Sequence, residues 1–245
     1  MSKKKAAKIE RFSEYDDDVK VKVDLNLAKK VNKIVSKGLS FDLGKPKPGR
    51  MCVEAAVCYA IGQQHGDHPI CVDHDLSRAK IELNDNFSGT NKARAHALRR
   101  VAIAQLGTRD TLDTSALEDE ILNLVTKVFD ATVSERVKQF KTPTSCIEFA
   151  RYVNDLRTDL EDLQDYMFDS VCLSDFGVVP AILPAIIPKM KNDDAIAFAA
   201  EILTQALIAV EAEGTKFLHL VPLTAEEKKK FAVILPKSKK AKGKK

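Results

Sequence analysis

Residues 51–71 read MCVEAAVCYAIGQQHGDHPIC. Met51 to Ile61 is an alanine-rich run with Val53, Ala56, Val57 and Ala60 on one stripe, the spacing of an amphipathic helix. Gly62 stands where a glycine commonly ends a helix. Gln63 to Asp73 is polar and reads as a loop. The segment is therefore helix then loop, and it carries three of the five cysteines and two of the five histidines of the chain.

The same 3–4 periodicity continues on both sides. Leu27, Val31, Ile34 and Val35 predict a helix over Leu25–Val35, followed by the glycine- and proline-rich loop GLSFDLGKPKPGR. A helix is predicted from Leu76 to Leu83, stopped by Asn84-Asp85-Asn86. Another is predicted from Asn91 to Leu106, with Lys92, Arg94, Arg99 and Arg100 largely outward. Thr114 reads as the N-cap of a longer helix that carries Leu117, Ile121, Leu124, Val125 and Val128. Cys146 to Phe168 reads as a helix with an acidic face of Asp155, Asp159, Glu161, Asp162 and Asp165. VVPAILPAIIP reads as a stretch broken by its prolines, and Asp193-Asp194 opens an apolar helix to about Ala212. Only Lys216–Leu223 reads as a strand, with Phe231–Leu235 as a candidate partner. The expected fold is mainly α: a multi-helix bundle with at most one small hairpin near residues 216–235. The organisation expected is a disordered tail (1–20), a cysteine-bearing helical module (21–110), a longer-helix half (111–235) and a lysine-rich tail (236–245). A break near residues 107–114 separates the two helical parts, as one domain or two.

Composition narrows the function classes. The 245 residues are 44% hydrophobic and 30% charged, which suits a chain folded around a core. Aromatics make up 6% with no tryptophan, which argues against an aromatic stacking surface for single-stranded nucleic acid. The net charge is +4, yet ten lysines lie in the first eight and last nine residues, where there is no acid. The body between these ends is therefore acidic. Lys237, Lys239, Lys240, Lys242, Lys244 and Lys245 form the C-terminal cluster, which suits nucleic acid or an acidic partner. There is no secretory-type N-terminal segment and no apolar run long enough for a membrane span; with five cysteines this suggests free thiols in a cytoplasmic setting.

The cysteine–histidine cluster admits three chemistries. Cys52, His65, His68 and Cys71 are candidate zinc ligands, although no C-x2-C pair is present and a clear fourth ligand is missing. Cys52 opens a helix, a position that lowers a thiol pKa, and His219 is the candidate base of a thiol enzyme. The third reading is structural. Cys52, Cys58 and Cys71 then pack as small apolar residues, as do Cys146 and Cys172. Asp67 braces the loop through backbone N–H groups, Pro69 stiffens it, and Asn84 and Asp85 stop a helix.

Met51-Cys52-x-Glu54-Ala55, then Gly62, His65-x-Asp67-x-Pro69-x-Cys71, Leu83-Asn84-Asp85 and Leu106-Gly107-Thr108 form one spaced pattern. It resembles a motif of uncharacterised bacterial and bacteriophage proteins. The resemblance covers about residues 50–108 and implies a shared module, with no activity attached; Cys58 and His74 fall outside the pattern. The function expected is a non-enzymatic binding or assembly protein, phage-encoded if the resemblance holds. A thiol-dependent enzyme using Cys52 and a small zinc-stabilised module are the alternatives.

Overall fold

The computed structural model describes residues 19–137, 178–187 and 189–236, with single positions between 147 and 176. Of the helix expected over Cys146–Phe168 only scattered positions from Ile147 to Thr158 are described, all helical; its acidic face, Cys146, Cys172 and Lys237–Lys245 lie outside the described residues.

The first helix, α1 (Leu25–Val35), starts where Asp24 accepts the N–H groups of Asn26 and Leu27 at 2.9 and 3.0 Å. Its buried residues include Leu27, Val31, Ile34 and Val35, the stripe expected from the spacing. Next come α2 (Val53–Ile61), α3 (His74–Asp85) and α4 (Asn91–Ala104), with side-chain caps from Cys52, Asp73 and Thr90. Helix α5 runs from Thr114 to Val137, and its cap is Asp113, not Thr114: Asp113 Oδ1 accepts Ala116 N–H at 3.0 Å. A carboxylate one residue upstream takes the position that a threonine hydroxyl fills less well.

VVPAILPAI is helical, as α6 (Val178–Ile186). Pro180 lies in the first turn, where its missing N–H has no partner to lose. Pro184 costs one internal hydrogen bond, and burial of Val179, Leu183 and Ile186 offsets it. Helix α7 (Asn192–Ala209) is the axis of the molecule. It packs on α3, α4, α5 and α6, and from Ala195 to Leu207 only Ala197 is not buried. One hydrophobic core runs through these helices from Leu27 to Ile234.

The segment expected as a strand is a 3-10 helix, Glu213–Leu220, and α8 (Ala225–Lys230) follows. Its buried residues are Gly214, Phe217 and Leu218, with Val221 just beyond. That spacing is three to four, not the period of two of a strand, and it places the apolar residues on one side of the 3-10 helix. Phe231 to Leu235 forms turns, with Ile234 N–H and Leu235 N–H both donating to Phe231 O. Among the described residues the β-pairing is a single antiparallel bridge, Gly44 with Met51. Among them, too, no helix is long and apolar enough to cross a membrane.

Candidate functional site

The cysteine–histidine segment sits at the junction of α2, α3 and the end of α4. Cys52 caps α2, its Sγ accepting Ala55 N–H at 3.3 Å. The sequence predicts that a helix start lowers this thiol, but Cys52 is only 3% exposed. Burial, with the Glu54 carboxylate beside it, outweighs the Ala55 N–H and pushes the Cys52 thiol up to about 12. Burial pushes Cys71 up to about 12 as well, and Cys58 upward, both with Glu54 adding to the effect. At neutral pH all three remain protonated, buried and unpaired as disulfides.

Glu54 and Lys80 are both fully buried, with Lys80 Nζ 3.0 Å from Glu54 Oε1. Lys80 also donates to Gln105 Oε1, and Ser77 Oγ donates to Glu54 Oε2 at 3.4 Å. The pair joins α2 to α3 and to the C-cap of α4. Burial raises the Glu54 carboxyl and lowers the Lys80 ammonium; each partner's charge opposes that change in the other. Nothing in the sequence pattern named Lys80, although it lies on the stripe of Leu76, Ala79 and Leu83.

The loop histidines face other tasks. His65 Nε2 lies 3.3 Å from Gly44 O. His68 stacks on His74, with ring centroids 5.0 Å apart, and its Nε2 lies 3.5 Å from Asp67 Oδ1. Gln63 holds this loop: Nε2 donates to His68 O at 2.7 Å and Oε1 accepts Ile70 N–H at 3.0 Å. Pro69 O accepts Val72 N–H at 3.0 Å. Among the described residues no group of three His, Cys, Asp or Glu side chains is placed to hold a metal ion, so Cys52, His65, His68 and Cys71 do not converge on one. A groove of about 580 Å³ opens beside them, lined by His68, His74, Ser77 and Arg109.

His219 sits exposed on the 3-10 helix, its Nδ1 3.1 Å from Lys216 O, with no hydrogen bond to Cys52. Asn84 and Asp85 do more than end α3. Asn84 Nδ2 donates to Ser40 O at 3.0 Å and to Asp85 Oδ1 at 2.8 Å, and Asp85 Oδ1 accepts Asp42 N–H at 2.9 Å.

The arginines of α4 are not largely outward. Arg94 is buried, donating to Leu39 O, Asn84 O and Phe87 O at 2.6–3.0 Å. Arg100 is buried against Glu201, with Nε to Oε2 at 2.9 Å, and also donates to Val221 O. Arg99 holds both carboxylate oxygens of Glu227 at 2.7 and 2.6 Å. The reason is topological: α1, α2, α7 and the 3-10 helix all pack on α4, so little of its circumference faces water. Only Lys92 of the four is exposed. No protein-family model, curated protein or solved structure matches this chain.

Proposed function

We propose that this is a non-enzymatic binding or assembly protein whose lysine-rich ends contact nucleic acid or an acidic partner. The observation that carries the reading is the segregation of charge: ten lysines without an acid at the two ends of a chain whose body is acidic. The site supports the non-enzymatic part. Its thiols are buried and protonated, and its strongest polar groups are engaged with one another or with the chain's own backbone. Three free thiols also favour a reducing, cytoplasmic setting.

The test is retention of labelled double-stranded DNA of arbitrary sequence at low salt, by the full chain and by a chain lacking Lys237–Lys245. The full chain is expected to bind with an affinity that falls steeply with salt, and the shortened chain to bind more weakly with a shallower slope. Equal binding by the two chains would remove the C-terminal lysines from the function.

A further inference from the structure

The loop between α1 and α2, residues 37–50, carries features that the lysine-rich ends do not explain. Phe41 is 62% exposed, the most exposed of the large apolar side chains described. Lys37, Lys45, Lys47 and Arg50 stand exposed on the same loop, and Lys92 at the start of α4 is exposed next to it. The backbone brings them together. Lys45 N–H donates to Arg50 O at 2.6 Å, and Arg50 N–H donates to Lys47 O at 2.9 Å. A Cβ on Gly49 would lie 3.2 Å from Lys37 O, and Lys92 Nζ donates to Ser36 O at 2.8 Å. None of these five cations has an ion-pair partner among the described residues. The nearby acids are Asp42 and Asp85. Asp42 Oδ1 accepts Leu43 N–H, and Asp85 Oδ1 accepts Asp42 N–H.

The loop is also held from beneath. Arg94 donates to Leu39 O, Asn84 to Ser40 O, Asp85 accepts from Asp42, Cys52 N–H donates to Leu43 O at 3.4 Å, and His65 contacts Gly44 O. Gly44 itself has φ of 70°, and a Cβ there would lie 2.3 Å from Arg50 O. Side chains from α3, α4 and the histidine loop, with the backbone N–H of Cys52 at the α2 cap, thus fix a loop whose Leu39 is buried in the core while Phe41 and the cationic side chains are exposed. Of the spaced motif, Met51, Cys52, His65, Asn84 and Asp85 contact this loop. Fixing a loop in advance lowers the ordering cost of binding.

We propose that residues 37–50 form a binding site for single-stranded nucleic acid, with Phe41 stacked on a base and Lys37, Lys45, Lys47, Arg50 and Lys92 contacting phosphates; the site deepens the nucleic-acid reading of the ends. A ring on a projecting loop needs the open face of an unstacked base, which a duplex does not offer. Seating on an anionic membrane would need several apolar side chains beside the ring. Here the other exposed residues of the stretch 41–50 are Asp42, Gly44, Lys45, Pro46, Lys47 and Arg50, with no second large apolar side chain among them, and Leu43 is partly buried.

The experiment measures binding of a fluorescent twenty-nucleotide oligothymidine to the full chain, beside an abasic strand of equal length, by fluorescence anisotropy. Phe41→Ala is expected to weaken oligothymidine binding about tenfold and to leave the abasic strand unaffected. The triple variant Lys45→Ala, Lys47→Ala, Arg50→Ala is expected to reduce the slope of log affinity against log salt by about two, from roughly 0.7 per phosphate contact. Melting curves establish that the variants fold; if the triple variant does not, Phe41→Ala decides, since its side chain is mostly in water. If removal of Lys237–Lys245 weakens binding while Phe41→Ala does not, the loop site is overturned and the reading of the ends stands. Loss in the loop variants with no loss on tail removal establishes the site and removes the tail. No binding by the full chain overturns both. Weakened binding of Phe41→Ala to phosphatidylserine vesicles but not to oligothymidine would replace the site with a membrane contact.

Discussion

Lys80 and Glu54 meet with no exposed surface on either side chain, and the charge of each opposes the shift that burial imposes on the other. Removing one partner leaves a buried charge uncompensated. Lys80→Met is therefore expected to cost about 3–5 kcal/mol in denaturant unfolding, whereas Lys80→Met with Glu54→Leu recovers most of that loss. A double variant as unstable as the single one would show that the pair is not the source of the penalty. At this scale the sequence is an uneven guide. Cys52 and Cys71 stand out by residue type; the apolar stripe of α2 next to Cys52 hints at its burial, whereas Cys71 is buried in a segment that reads as a polar loop. Lys80 is hidden by its type, since lysine is read as a surface residue. Its register beside Leu76, Ala79 and Leu83 was the one available sign that it points inward. Gln63, Gln105 and Arg94 were unreadable for a different reason: their partners are backbone groups, near in sequence for Gln63 and distant for Arg94, or, for Gln105, a buried ammonium 25 residues away.

At the scale of the element, the 3-10 helix Glu213–Leu220 depends on close approach to the end of α4. A Cβ on Gly214 would lie 2.2 Å from Ile103 O, 2.7 Å from Ala104 O and 2.9 Å from Leu106 N. These are backbone atoms and cannot turn aside. Gly214→Ala is expected to destabilise the protein by about 1–3 kcal/mol in thermal or denaturant unfolding; an unchanged transition would mean that the 3-10 helix is free to move off α4. Helices with one clear stripe, such as α1, were legible to the residue. Those packed on several sides were legible as helices but not in their outward faces, which is why the arginines of α4 looked exposed. The prolines of α6 misled because a proline in the first turn and one inside the helix look alike in sequence. Their costs are set by position and by the burial around them.

Across the whole molecule, distant segments are tied by charge. Glu227 on α8 is gripped by Arg99 of α4, and α8 carries a reciprocal capping box between Thr224 and Glu227. Partial burial raises the Glu227 carboxyl, but the hydrogen bonds from Arg99 and Thr224 prevail and hold it at about 2, below its ordinary 4.5. A carboxyl held below its unfolded value stabilises the fold above that unfolded value, and the contribution is lost as pH falls through the folded one. Glu227→Gln is thus expected to lower stability at pH 6 and to converge with the parent chain between about pH 4.5 and 2. Parallel curves across that window would show that Arg99 and Thr224 do not perturb this group. The charge segregation of the chain was legible from composition alone. The tie between α4 and α8 was not, because 128 residues separate Arg99 from Glu227.

Sealing three protonated thiols inside one core has a consequence for what happens after the chain opens. In the native state Cys52, Cys58 and Cys71 are buried and held as protonated thiols, the form that oxidants attack least. Once unfolded, they return toward an ordinary thiol pKa near 9, lying within twenty residues of one another on a flexible chain. Any bridge formed there must be broken before α2 can pack again. Heating and cooling in air should therefore yield mostly misfolded, disulfide-linked chains. The same cycle under reductant should return the native melting transition. Reversibility of unfolding, followed by repeat scans with and without reductant, thus reports directly on the seal around the cysteines, and recovery in air equal to that under reductant would show that the thiols never meet.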